Sequence, residues 1–158
     1  MQPTPTEQFY WSSSHLFNNT YTKMAPIVGK YQHERNENLN EYFRALGVPY
    51  VARLMMGMSH PTLEISNEND KWTIRNITAL RTMESTFTLG EEYKETMPSG
   101  VVFTSVTTID GNNLITISTT EDNKKITRKF EFTDENVVLT MTDEKSGQVA
   151  KRFYKRIE

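Results

Sequence analysis

The sequence predicts an all-β barrel of short antiparallel strands, with a small helical lid between the first two strands. Three observations carry this. From Thr62 onward Thr, Val, Ile and aromatic residues dominate, and polar turn clusters recur about every ten residues. A single stretch, residues 38–58, has convincing helical spacing. The segments Val101–Ile109 and Leu114–Thr120 mix apolar and hydroxyl residues on both faces, where a dry sandwich would alternate cleanly. An interior that accepts Thr, Ser and Arg is wet and roomy, and a barrel of such strands encloses a small ligand.

The elements follow in order. A first strand is expected near Val28–Glu34. Asn38 can cap a helix in which Leu39, Tyr42, Phe43 and Leu46 repeat at i, i+3, i+4 and i+7, and Gly47 can end it. Pro49 suits the first turn of a second helix, with Tyr50, Val51, Leu54, Met55 and Met58 on one stripe. That spacing suits packing against the core and lining a portal equally. The strands beyond are separated by Asn67–Asp70, Met97–Gly100, Asp110–Asn113, Glu121–Asn123, Thr133–Asn136 and Asp143–Gly147. Pro98 lies in one of these turns, as ladder hydrogen bonding demands. Strands joined in series form a meander, and closure removes its unpaired edges. Residues 1–25 are a polar, proline-bearing extension without period, predicted to be disordered, and the domain spans 26–158.

Composition excludes several classes. The chain has 158 residues, enough for one domain with a sizeable core. Its net charge of -2 gives no basic footprint for nucleic acid, and Arg44 and Arg53 are too few for a DNA-reading helix. With no cysteine there are no disulfides, thiolate metal sites or cysteine nucleophiles. His15, His33 and His60 match no metal spacing, so neither a metal nor a cofactor is expected. There is no apolar run of membrane-spanning length and no basic n-region, so no signal peptide is expected. No His stands near a Ser-Gly nucleophile turn, which argues against an enzyme.

The strongest functional signal is misplaced charge. In the segment Ile126–Phe132, Arg128 shares the face of Ile126, Phe130 and Phe132, while Thr127, Lys129 and Glu131 occupy the other. Arg152 and Tyr154 likewise share a face. A lone arginine in a strand ordinarily pairs with a carboxylate inside the barrel or reaches a rim. These faces offer no obvious acidic partner, and an unpaired buried guanidinium is costly. Two arginines and a phenol therefore suggest a socket for a carboxylate arriving from outside. A guanidinium meets a carboxylate bidentately and stays charged at any relevant pH.

The chain resembles the intracellular lipid-binding proteins, which include fatty-acid-binding and retinoid-binding members. The matching segments are Gly29-Lys30-Tyr31, Asn38–Tyr42, Leu46-Gly47-Val48, Arg53, Pro61-Thr62, Phe87–Gly90, Ile109–Asn112 and Arg152-Phe153-Tyr154. Their order and spacing run from about Ile27 to Arg156, which is far more specific than Arg-x-Tyr alone. The resemblance implies a ten-stranded up-and-down barrel with a helix-turn-helix between its first two strands. It also implies a carboxylate site at Arg128, Arg152 and Tyr154. Portal or cavity candidates are Tyr42, Phe43, Val51, Leu54 and Pro61, together with Leu80, Arg81, Leu139 and Met141. Departures from the family pattern are Leu39 for phenylalanine, Asn40 for aspartate, His33 for an aliphatic residue, Pro49 for glycine and Leu80 for phenylalanine.

The function so implied is non-covalent binding and intracellular transport of a long-chain fatty acid or similar hydrophobic carboxylate. The protein is expected to be a cytoplasmic monomer, with nuclear entry open and transient membrane contact through the lid. Alternatives are a retinoid or other isoprenoid-acid carrier, or a membrane or protein interaction module in which ligand binding is secondary.

Overall fold

The computed structural model describes residues 25–97 and 100–158. Ten strands form one antiparallel sheet: β1 Gly29–Glu37, β2 Thr62–Glu68, β3 Lys71–Ile77, β4 Thr82–Thr88, β5 Glu92–Thr96, β6 Val102–Asp110, β7 Asn113–Thr119, β8 Lys125–Phe132, β9 Asn136–Asp143 and β10 Val149–Arg156. Helices α1 (Leu39–Ala45) and α2 (Tyr50–Met58) lie between β1 and β2. The strand order is β4-β3-β2-β1-β10-β9-β8-β7-β6-β5, so first and last strands pair and the meander curls into a nearly closed barrel. The opening lies between β4 and β5, which share no ladder.

Turn chemistry sets the register. Asn69 and Asp70, at φ 52° and 64°, form the two-residue link from β2 to β3, a turn needing positive φ at both positions. Gly111, at φ 58°, serves the link from β6 to β7. The turn expected around Pro98 falls on residues outside the described ones, as do residues 1–24 of the expected extension. Ala25 is buried, and its N–H donates to Asn112 Oδ1 at 3.1 Å.

β1 runs three residues further than the sequence suggested, because its pairing with β10 continues past a bulge to Glu37. Its register on β10 steps from His33↔Tyr154 to Arg35↔Phe153, leaving Glu34 as the extra residue. Asn36 therefore faces Arg152 and shares the inner side with His33. Strict alternation would have put them on opposite faces.

Two further expectations need correction. Asn38 stands at the start of α1 in a left-handed conformation (φ 52°) and makes no side-chain cap. Its amide instead donates to Gln148 Oε1 and the Val149 carbonyl, both at 2.9 Å, tying the lid to the β9–β10 turn. Pro49 precedes α2 rather than opening its first turn. The helices also divide their roles. α1 buries Leu39 and Tyr42 against β9 and β10, whereas α2 buries no residue. Tyr50, Val51, Leu54, Met55 and Met58 are exposed, because α2 packs on α1 and leaves its apolar stripe to solvent.

The end opposite the lid is packed shut by Tyr31, Leu114, Phe130, Phe132 and Val137. Tyr31 meets Phe132 edge-on at 5.6 Å and donates from its hydroxyl to the Ile27 carbonyl at 2.7 Å. With the floor closed, polar chemistry is left to the middle of the barrel and the region under the lid.

Candidate functional site

Both arginines lie where alternation placed them. Arg128 shares a face with buried Ile126, Phe130 and Phe132, and Arg152 with buried Ala150 and Tyr154. The strand between them contributes Leu139, opposite Arg152, and Met141, opposite Arg128. Both are buried, and β9 lies between the two arginine-bearing strands. Two strand spacings and the two-residue offset from Leu139 to Met141 put their backbones roughly 12 Å apart.

Their surroundings differ. Arg128 is already paired, which corrects the expectation of a socket with no acidic partner. Glu95 on β5 receives both ends of its fork: Nη1 donates to Oε1 at 3.3 Å and Nη2 to Oε2. The Nη2 group also donates to Ser118 Oγ at 2.9 Å. Glu95 accepts further bonds from Ser85 Oγ at 3.0 Å and Ser105 Oγ at 2.6 Å, and Ser105 bonds Ser118 at 2.7 Å. Burial pushes the Glu95 carboxyl upward, but Arg128 and the two serines outweigh it and hold the group below the ordinary carboxylate range. The signal for Glu95 lay in β5 itself. Tyr93 and Glu95 share a face, and Tyr93 stacks on Phe87 inside the barrel at 4.9 Å.

Arg152 has no such partner. Its Nε donates to Asn36 Oδ1 at 3.0 Å, and its Nη2 is buried without a hydrogen bond among the described residues. Tyr154, on the same face, is 2% exposed. Burial raises its pKa and Arg152 opposes that in part, so the phenol stays a neutral donor. His33 is 4% exposed and stands edge-on to Tyr154 at 5.5 Å. Its Nε2 lies 2.7 Å from Asn36 Oδ1 and its Nδ1 3.1 Å from His60 Nδ1. The sequence flagged His33 only as a departure and did not find Asn36, because the bulge that turns it inward has no signature in alternation.

The portal and cavity candidates scatter. Tyr42 is buried in α1 with Phe43 edge-on at 5.1 Å, so it belongs to the core beneath the lid. Val51 and Leu54 are exposed on α2. Pro61 is buried where β2 begins, and its carbonyl accepts the His33 N–H at 3.1 Å. Leu80 is 80% exposed beside Arg81 in the β3–β4 turn. Among the described residues no His, Asp and Glu cluster is arranged to hold a metal, and no helix is long and apolar enough to cross a membrane.

Comparison with known proteins agrees with this architecture. The model of the lipocalin / cytosolic fatty-acid binding protein family matches residues 28–156. The chain is 31% identical over 134 residues to Sodium/calcium exchanger regulatory protein 1 of Doryteuthis pealeii, covering 85% of this chain and 98% of that protein. It is 34% identical over 134 residues to a fatty acid-binding protein of Tyrophagus putrescentiae, covering 84% and 99%. Among solved structures, the fatty acid-binding protein from brain tissue of Drosophila melanogaster superposes with a TM-score of 0.76 at 34% identity, covering 82% of this chain and 99% of that one.

Proposed function

This chain belongs to the lipocalin / cytosolic fatty-acid binding protein family, and we propose that it is a non-covalent cytoplasmic carrier of a long-chain fatty acid or similar hydrophobic carboxylate. One observation carries the reading: the buried, unpartnered Nη2 of Arg152 beside the neutral hydroxyl-bearing Tyr154. A buried donor on a cation lacks the hydrogen bond that such groups ordinarily find. A ligand carboxylate supplies the missing acceptor and the missing charge together. Tyr154 then adds one neutral O–H donor. Arg128, already held by Glu95, plays a secondary part and lends its field from across Leu139 and Met141.

The tail supplies most of the affinity. Burying a methylene is worth about 0.8 kcal/mol, so a sixteen-carbon chain offers roughly 10 kcal/mol gross. Association costs remove several of these, leaving affinities on the order of micromolar to nanomolar. The head group contributes choice and orientation. A retinoid or other isoprenoid acid satisfies the same head-group chemistry, and mass spectrometry of protein purified with its natural cargo separates the two.

The test is the ratio of affinities for a fatty acid and its matching alcohol. Arg152→Ala should lower that ratio roughly tenfold to a hundredfold, the value of about 1.5–3 kcal/mol for a charge-assisted hydrogen bond. Tyr154→Phe should lower it less. An unchanged ratio in Arg152→Ala refutes the head-group site.

The exposed stripe of α2 favours a second role for the lid. Tyr50, Val51, Leu54, Met55 and Met58 form an apolar face flanked by the cationic Arg53. Such a face suits transient contact with a membrane surface, where cargo is collected or delivered.

A further inference from the structure

The polar chain behind Arg152 ends at the surface, and the direction of every hydrogen bond in it can be read. A guanidinium only donates, so Asn36 Oδ1 accepts from Arg152 Nε at 3.0 Å. The same oxygen lies 2.7 Å from His33 Nε2, which must also donate. Neutral His33 then has a bare Nδ1, and His60 Nδ1 donates to it across 3.1 Å. This leaves His60 with a bare Nε2 on an exposed side chain. One added proton therefore has a place at His60 Nε2, with no bond in the chain broken. The hydrogen between the two Nδ1 atoms can pass to His33, carrying positive charge inward. A second proton would set two N–H groups against each other at 3.1 Å and part the pair.

We propose that His33 and Asn36 are positioning residues for Arg152 and that the His33–His60 pair takes up one proton when an anion binds there. The proposal rests on Arg152 being the anion receptor. Asn36 holds Nε, which fixes the plane of the fork and leaves Nη2 for the ligand. His33 in turn fixes Asn36, and Pro61 fixes the backbone of His33. The groups facing His33 are Arg152 and Tyr154 from β10, His60 from the α2–β2 link and Asn36 from its own strand; none is a carboxylate. Burial holds His33 below the ordinary imidazole value. The bond to Asn36 pulls it upward, and the charges of Arg152 and His60 push it further down. An anion at Arg152 cancels that last repulsion, so anion and proton favour each other's binding. A solvent-exposed imidazole thereby senses the contents of a buried site.

A long-chain alkyl sulfonate, used below its micellar concentration, tests this because it does not titrate between about pH 5.5 and about pH 7.5. Wild type should bind it about three- to tenfold more tightly at the lower pH, with the matching alcohol showing no slope. Calorimetry in buffers of different ionisation enthalpy should detect proton uptake on binding. His33→Leu should flatten the profile, whereas His60→Ala, which changes an exposed side chain and leaves Nδ1 of His33 open to the proton, should shift its midpoint upward. His33→Gln, whose amide can still donate to Asn36, should keep most of the sulfonate preference at the higher pH and lose the slope. A flat wild-type profile, or a slope surviving in His33→Leu, overturns the proposal. If instead Arg152→Ala retains wild-type sulfonate preference over the alcohol, the underlying anion site is what has failed.

Discussion

Glu95 governs how much charge the barrel can hold without a ligand. It neutralises Arg128 and bonds two serine hydroxyls, one of them reaching from β4. Glu95→Gln keeps the shape but strands the guanidinium. It should lower stability by about 2–3 kcal/mol at neutral pH, below the full cost of breaking a buried pair because Arg128 is partly exposed. The sign of the acid response follows from the lowered pKa. The unfolded chain protonates Glu95 first, so the stability it supplies is present above about pH 4.3 and is lost as pH falls through the lower folded value. Urea midpoints between neutrality and about pH 3 should therefore fall less steeply in Glu95→Gln than in wild type. The two arginines were legible because each breaks the period of its own strand. Their pairings were not, since the face shared with Tyr93 marks Glu95 as inward but not as the partner of Arg128, 33 residues away in sequence.

At the level of elements, equal sequence patterns led to different burial. Helical spacing in α1 and α2 is equally apolar, yet α1 rests on β9 and β10 while α2 packs mainly on α1 and turns only Met56 toward the core. Periodicity reports that a stripe exists and says nothing of what lies opposite. Denaturant unfolding should separate them. Tyr42→Ala, deep beneath the lid, should cost about 3–5 kcal/mol. Val51→Ser, on a side chain 65% exposed, should stay within about 0.5 kcal/mol. The same Val51→Ser should slow transfer of a fluorescent fatty acid to phospholipid vesicles if the α2 stripe meets membranes. The strands were more legible, since hydroxyl-rich faces and recurrent turn clusters mark a meander. The bulge at Glu34 escaped because one extra residue alters facing without altering composition.

For the whole molecule, barrel order and the closing pair β1–β10 were within reach of the sequence, through the meander and the family resemblance. The opening between β4 and β5 was not, because no residue marks the absence of a ladder. The family match spans 28–156, and the barrel shuts its own floor. Removing residues 1–24 should accordingly leave fatty-acid affinity nearly unchanged in a fluorescence titration. A tenfold loss, about 1.4 kcal/mol, would show that the segment contributes to binding.

Joining first strand to last also sets a schedule. The bond between Asn36 and Arg152 spans 116 positions, so the proposed head-group socket straddles the seam at which the chain's two ends meet. Contacts of such long range close late, after local hairpins have formed. The eight intervening strands can assemble their ladders while the socket has only one of its halves. On the proposed reading, a newly made chain would gain its grip on an anion in the same event that completes its wall. Ligand capture during refolding should therefore rise with the slowest folding phase, with no earlier burst.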